Sequence, residues 1–151
     1  KFKPVNPEKV LKEALSNLKI VIEENNATIT WEKLPEVIGD SKLLVQLFQN
    51  LISNAIKFKK SDEPPEIHIS FIKYKNGYKN VFCVEDNGIG IDQQFAERIF
   101  KVFKRLHTID EYKGTGIGLA TCRRIIEHHK GHIWVESQLN KGSKFCFTLQ
   151  Q

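Results

Sequence analysis

The stretch from Asp40 to Phe58 constrains the fold most, because two different surfaces are written into one helix. Leu43, Leu44, Leu47, Phe48, Leu51, Ile52 and Ala55 recur at helical spacing on a buried side, behind Asp40 as N-cap. Gln46, Asn50, Asn54 and Lys57 are spaced four, four and three apart, so at about 100° per residue they share an arc of roughly 80°. Such a helix must be covered on one side while it presents amides and an ammonium on another. On its own, a polar stripe of this kind also describes a solvated helix face. The two asparagines are the less expected part. Asparagine prefers caps and turns, whereas its carbonyl oxygen suits a hydrated divalent cation and Lys57 suits a phosphate.

The rest of the chain supplies the covering layers. Asn6-Pro7 opens an amphipathic helix with apolar residues at Val10, Leu11, Ala14, Leu15, Leu18 and Val21/Ile22, broken at Asn25-Asn26. Ala27 to Trp31 reads as a β segment and Val37-Ile38 as a short strand. After a polar loop from Lys59 to Pro65, Ile67, Ile69 and Phe71 alternate with His68 and Ser70 in a half-buried strand. Asn76-Gly77 turns that strand back into Val81 to Asp86. Asp92 is expected to cap a short helix through Ile99-Phe100, and Lys104 to Gly114 reads as a mobile surface loop. A helix from about Gly116 to His129 ends at Lys130-Gly131, and His132 to Glu136 with Ser143 to Leu149 closes the chain as a hairpin across Asn140-Lys141-Gly142. This order predicts an α+β fold, a two-layer α/β sandwich with a mixed, mostly antiparallel sheet and helices on one face.

Composition narrows the class. The chain has 151 residues, 40% hydrophobic and 27% charged, which fits one globular domain and excludes collagen, coiled coil and wholesale disorder. No apolar stretch approaches the roughly 20 residues of a spanning helix, and Lys1-Phe2-Lys3-Pro4 has no signal region behind its charges. Cys83, Cys122 and Cys146 form no C-x-x-C pair, so the reading is a cytoplasmic protein rather than a disulfide scaffold, and the distance between the cysteines along the chain speaks against zinc. The net charge of +5 is scattered among acids. It suits an anionic ligand and does not indicate nucleic acid. A chain without methionine that begins at Lys1 is expected to be a piece of a longer protein.

Two further patterns carry chemistry. Asp86-Asn87-Gly88-Ile89-Gly90 follows a strand in which Phe82, Val84 and Asp86 share a face. A partly buried carboxylate there needs donors, the exocyclic amine of a purine being one, and the glycines would let the backbone pass close to a flat ring. Alone, this is also a common turn. Gly114-Thr115-Gly116-Ile117-Gly118-Leu119-Ala120 opens a helix after a loop, where backbone amides are a ready phosphate site. Its spacing matches neither a P-loop nor a dinucleotide fingerprint.

In this order the patterns resemble the boxes of the histidine-kinase ATPase domain, of the Bergerat-type ATP-binding fold. Gln46-x-x-x-Asn50-Leu-Ile-x-Asn54-Ala55-x-Lys57-Phe58 is similar to the asparagine box, Asp86-x-Gly88-x-Gly90 to the first glycine box and Gly114-x-Gly116-x-Gly118-Leu119 to the second. Ile99 to Arg105 is similar to the phenylalanine box, and the resemblance extends to the closing hairpin with Trp134-Val135-Glu136-Ser137 and Gly142-Ser143-Lys144-Phe145. Phe103-Lys-Arg-Leu-His107 and the short lid resemble phytochrome-type sensor kinases.

The resemblance implies that Asn50 coordinates the magnesium bridging the ATP phosphates, that Asn54 and Lys57 reach the phosphates and that Phe58 flanks the adenine. It implies that Asp86 accepts from the adenine amino group, with Gly88 and Gly90 shaping the base pocket. Arg105 would present a guanidinium to the terminal phosphate. Gly114, Thr115, Gly116, Ile117, Gly118 and Leu119 would hinge the lid and offer amides, with Leu106 to Lys113 closing over the nucleotide. Gln46 stands where ATP-hydrolysing members of the superfamily typically carry glutamate. An amide is no general base, which favours transfer over hydrolysis.

The implied function is to bind Mg-ATP and transfer its γ-phosphoryl group to a histidine on a separate dimerisation domain in two-component signalling. The parent would be a homodimer that serves a response regulator, and it would meet a membrane only through upstream segments. The accepting histidine, followed by an acidic and a basic residue, is missing: His68, His107, His128, His129 and His132 lack that pattern and read as surface residues. Isolated, the chain is therefore not expected to autophosphorylate. The alternatives are a protein-serine kinase of the anti-sigma-factor type and a nucleotide-binding docking module without transfer activity.

Overall fold

The computed structural model describes residues 2–95, 99 and 115–149, with 115–117 in backbone only. The Asn6 side chain accepts from the Glu8 N–H at 2.9 Å and Pro7 takes the first helical position, so α1 (Pro7–Asn17) starts where local rules place it. The expected single helix is divided, because Leu18 (φ −104°, ψ 11°) leaves helical geometry before α2 (Lys19–Glu24). Leu18 stays buried, and Val21 and Ile22 still pack on the core. The apolar period therefore carries no trace of the break.

A five-stranded sheet forms the second layer, in the order β2 (Thr28–Trp31), β4 (Glu66–Lys75), β5 (Tyr78–Asp86), β7 (Gly142–Phe147), β6 (Ile133–Gln138). Only the β2–β4 pair is parallel. The β4–β5 hairpin turns on Asn76 (φ 53°) and Gly77 (φ 83°), the two positive φ angles that suit the right-handed twist of the strands. The short strand β3 (Val37–Gly39) instead pairs with a strand the sequence reading did not foresee, β1 (Lys3–Val5), with Pro4 opposite Ile38. Three residues, one of them proline, carry too little alternation to be read as a strand without their partner.

The helix α3 (Ser41–Lys57) lies across the sheet. Asp40 Oδ1 accepts from the N–H groups of Lys42 and Leu43 at 3.1 and 3.2 Å, and Leu44, Leu47, Phe48, Leu51 and Ile52 are buried. They meet α1, α4 (Thr115–His128) and the inward rows Ile67/Ile69, Phe82/Val84 and Phe145/Phe147 in one core. Val81, Cys83 and Cys146 form a separate cluster on the other face, with Ile72 and Trp134 and no described helix. The expected helix after Asp92 is a 3₁₀ turn over Gln93–Phe95, with Asp92 Oδ1 accepting from the Gln94 N–H at 3.1 Å. Ile99 is buried. The remaining residues of that expected helix, the phenylalanine box beyond Ile99 and the expected loop from Lys104 to Gly114 lie outside the described residues. Among the described residues no helix is long and apolar enough to cross a membrane.

His129 corrects the sequence reading. Expected at the surface, it is fully buried, with its ring 4.7 Å from that of Phe2 in a stack. Its Nδ1 lies 2.8 Å from the Ile125 carbonyl and its Nε2 accepts from the Asp40 N–H at 3.1 Å. The proton therefore sits on Nδ1, and the ring ties the end of α4 to the cap of α3. His129→Ala should lose about 2–4 kcal/mol of stability through a cavity and an orphaned Asp40 N–H. Urea unfolding checks this, and a loss below about 0.5 kcal/mol, the scale of ordinary surface substitutions, would contradict it.

Candidate functional site

Four elements converge on a cavity lined by Asn54, Phe58, Asp86, Gly90, Ile91, Ile99, Leu119, Ser143 and Phe145. The helix α3 contributes Asn54 and, at its C-cap, Phe58. Asp86 ends β5, Leu119 lies in the first turns of α4, and Ser143 and Phe145 belong to β7. The walls are mainly apolar, so the carboxyl of Asp86 is the chemically distinctive group in them.

Asp86 Oδ1 accepts two backbone N–H groups, from Gly88 at 2.8 Å and from Ser143 at 3.3 Å. Burial nevertheless dominates and raises its pKa from 3.8 to about 6, with Glu85 adding to the rise and the two donors opposing it. Among the described residues both donors are on Oδ1, which leaves Oδ2 to accept from a ligand.

The loop after Asp86 is fastened on three sides. Asn87 accepts from the Glu66 N–H at 2.8 Å and donates to Glu63 and to the Pro64 carbonyl. The Ile89 N–H donates to the Phe58 carbonyl at 3.0 Å and the Ile89 carbonyl accepts from Asn140 at 2.6 Å. The Ile91 N–H donates to Ser137 Oγ at 2.7 Å, and that hydroxyl lies 2.7 Å from Ser143 Oγ and 3.0 Å from the Gly142 carbonyl. Gln93 clamps the next turn to β6 through Val135 and Ser137. Ser137, Ser143 and Gln93 thus hold the acidic loop against the closing hairpin.

Gly88 and Gly90 also have close neighbours in the chain's own backbone. A Cβ on Gly88 would come to 2.5 Å from the Phe58 carbonyl, and one on Gly90 would collide with the Gln138 carbonyl. They admit the chain's own backbone, although Gly90 also lines the cavity. Gly90 has φ +75° and Gly142 φ +105°, and both lie where the loop and hairpin cross. Among the described residues, a Cβ on Gly118 would meet nothing within 4 Å.

The other expected residues are distributed as follows. Asn50 is half-buried one turn from Asn54 and its side chain hydrogen-bonds the Cys122 thiol, whose pKa burial pushes up to about 12. Gln46 and Lys57 are exposed on the same polar face and do not line the cavity. Thr115, Gly116, Ile117 and Gly118 form the start of α4, whereas Arg105 and Gly114 lie outside the described residues. What the sequence reading missed are the supports, Ser137, Gln93 and Cys122. Each acts through a partner distant in the chain, so none of them carries a local signal. Among the described residues no three His, Cys, Asp or Glu side chains are grouped to hold a metal.

Residues 39–151 match the family described as histidine kinase-, DNA gyrase B- and HSP90-like ATPase. The chain belongs to this family, and its fold is that of a histidine-kinase catalytic domain, for which ATP binding and phosphotransfer are the general role. Cyanobacterial phytochrome A of Nostoc sp. (strain PCC 7120) is 55% identical over 148 residues, 98% of this chain and 19% of the phytochrome. Phytochrome-like protein Cph1 of Synechocystis sp. (strain PCC 6803) is 52% identical over 142 residues, 94% of this chain and 19% of that protein. The chain thus spans about a fifth of the length of these relatives. Among solved structures, the catalytic domain of histidine kinase ThkA superposes with a TM-score of 0.78 at 28% identity, over 99% of this chain and 95% of that one. Full-length ShkA in complex with AMPPNP gives 0.79 at 25% identity, over 99% and 31%. ThkA in complex with the response regulator protein TrrA gives 0.73 at 27% identity, over 98% and 41%.

Proposed function

We propose that residues 1–151 are the single catalytic domain of a larger kinase. It binds Mg-ATP with the adenine in the Asp86 cavity and passes the γ-phosphoryl group to a histidine on a separate dimerisation domain. The observation that carries this reading is Asp86: a carboxyl in the lining of a mainly apolar cavity, with both of its described backbone donors on one oxygen, which leaves the second for a ligand. An exocyclic amine satisfies that oxygen while the ring fills the apolar walls, Phe58 among them. The AMPPNP complex of ShkA supports the same class of ligand.

The polar face of α3 takes the phosphate end. Asn54 lies at the cavity and Lys57 supplies a point charge beside it. Asn50, one turn from Asn54 on the same face, is the magnesium ligand, its amide carbonyl oxygen suiting a hard cation. Magnesium, when bound, neutralises phosphate charge. Gly114 to Leu119 offer backbone amides at the start of α4, and the open space beside Gly118 accommodates such an approach. Arg105 stabilises the terminal phosphate. Gln46, exposed on the same face, has no basic atom to activate water, so the phosphoryl group is kept for the histidine.

The parent is a homodimer that hands the phosphoryl group to a response regulator, a role supported by the ThkA–TrrA pair. Mixing the chain with a helical dimerisation domain carrying an acceptor histidine and γ-labelled ATP tests the transfer. Acid-labile label on that domain is expected, with none on the chain alone. Label on a histidine of this chain, or acid-stable label on an added protein, would overturn the assignment.

A further inference from the structure

Cys83 on β5 and Cys146 on β7 stand directly opposite each other, with their sulfurs 2.6 Å apart. Opposed residues of an antiparallel pair have Cα atoms about 4.5–5.5 Å apart, inside the range of about 4.4–6.8 Å that a disulfide spans. No strand has to move for the two sulfurs to bond. We propose that Cys83 and Cys146 are a covalent modification site, a dithiol that a hydroperoxide oxidises to an intrachain disulfide bridging β5 and β7.

The chemistry is divided between the two thiols. A hydrogen bond from the Cys146 thiol lowers the pKa of Cys83 against the opposing effect of burial, and the Lys144 and Lys75 ammoniums add to the lowering. Cys146 is shifted the opposite way by the same contact. Cys83, the sulfur beside Lys144 and Lys75, serves as the attacking thiolate and Cys146 as the resolving thiol, and the step balances equally with the roles exchanged. The Cys83 thiolate attacks one peroxide oxygen and breaks the O–O bond. This gives a sulfenic acid and a hydroxide or alkoxide that takes up the thiol proton. Cys146 sulfur then attacks Cys83 sulfur, forms the S–S bond and expels hydroxide, which leaves as water with the Cys146 proton. Two thiols lose two electrons and two protons, and the peroxide gains both.

Both cysteines are fully buried, so a peroxide reaches them only when the side chains that cover them move. The pair lies on the sheet face that carries no described helix, covered by half-buried Ile72 and Trp134. Cys122 is the internal control. It is buried in the helical layer against Asn50, and its high pKa leaves it a neutral thiol near pH 7. The bond would stitch together the two strands that end at the paired residues Asp86 and Ser143, on the rim of the cavity.

The test uses the reduced chain exposed to hydrogen peroxide, then denatured, alkylated and digested. A mass loss of about 2 Da, a Cys83–Cys146 linked peptide and a single alkylated thiol at Cys122 are expected, all reversed by dithiothreitol. The melting temperature should rise by roughly 5–15 °C on oxidation. Three alkylated thiols, a sulfinic acid on Cys83 with Cys146 still free, or linkage between chains would overturn the proposal. So would an equal rise in melting temperature in Cys146→Ser. Peptide mapping of the unmodified sequence decides the matter even if that variant fails to fold.

Discussion

At pH 7.5, Asp86→Asn is expected to melt at a higher temperature than the parent chain without nucleotide, and to bind Mg-ATP roughly 10- to 150-fold more weakly. The two effects have one cause. Burial raises the Asp86 pKa from 3.8 to about 6, so the folded chain holds this proton more tightly than the unfolded chain does. Stability contributed by the group is then present at low pH and is lost as pH rises from about 4 through about 6. Above that window the ionised carboxylate is a cost of about 1–3 kcal/mol, which the neutral amide avoids. Asparagine can still accept the Gly88 and Ser143 N–H groups on its carbonyl oxygen. The gain should appear as a rise of roughly 2–10 °C in melting temperature. Binding loses a charge-assisted hydrogen bond, and in the parent chain it should weaken about tenfold between pH 7.5 and pH 5 as Asp86 takes up its proton. Calorimetric titration across that range checks the profile. The same pH dependence in Asp86→Asn would assign it to another group.

Two glycine-to-alanine changes should move stability in opposite directions. Gly90→Ala places a Cβ against the Gln138 carbonyl at a positive φ of 75°. The left-handed conformation alone disfavours alanine by about 1–2 kcal/mol. Relief of the collision must disturb the adjacent Ile91–Ser137 and Ile89–Asn140 hydrogen bonds. The expected loss is about 3 kcal/mol or more, with nucleotide binding lost alongside it. Gly118→Ala has nothing to collide with among the described residues and lies in a helix, so it should stabilise the empty chain by about 0.5–1 kcal/mol. If the space beside Gly118 belongs to phosphate, the same change weakens Mg-ATP binding. Denaturant unfolding of both variants separates the cases, and equal losses in both would contradict this account of the glycines.

What could be read from the sequence follows from how far each signal reaches along the chain. Asn6-Pro7, Asp40 and Asn76-Gly77 act within a few residues, and each does in the structure what its chemistry requires. The alternation of β4 and the apolar side of α3 likewise report a local fact, the face that is buried. Asp86 was legible for the same reason, since it continues an apolar face. The division at Leu18 was invisible because both helical pieces keep one apolar phase. The β1–β3 pairing, the burial of His129 against Asp40, the Ser137 hydroxyl and the Cys83–Cys146 contact all depend on residues brought together by sheet register or by packing between elements distant in the chain. No local pattern encodes that register. Gly88 and Gly90 show the middle case: their position was legible, while the carbonyls they make room for come from α3 and the closing hairpin.

The function proposed for this chain depends on Mg-ATP binding in the Asp86 cavity. Its most direct measurement is a titration of the folded chain with a non-hydrolysable ATP analogue, with and without magnesium, followed by amide chemical shifts. The expected result is saturable one-to-one binding that tightens with magnesium, with the largest shifts at Asn54, Asp86, Gly88 and Leu119 and a weakened response in Asp86→Asn. No binding by the folded chain, or shifts confined to residues away from that cavity, would contradict it.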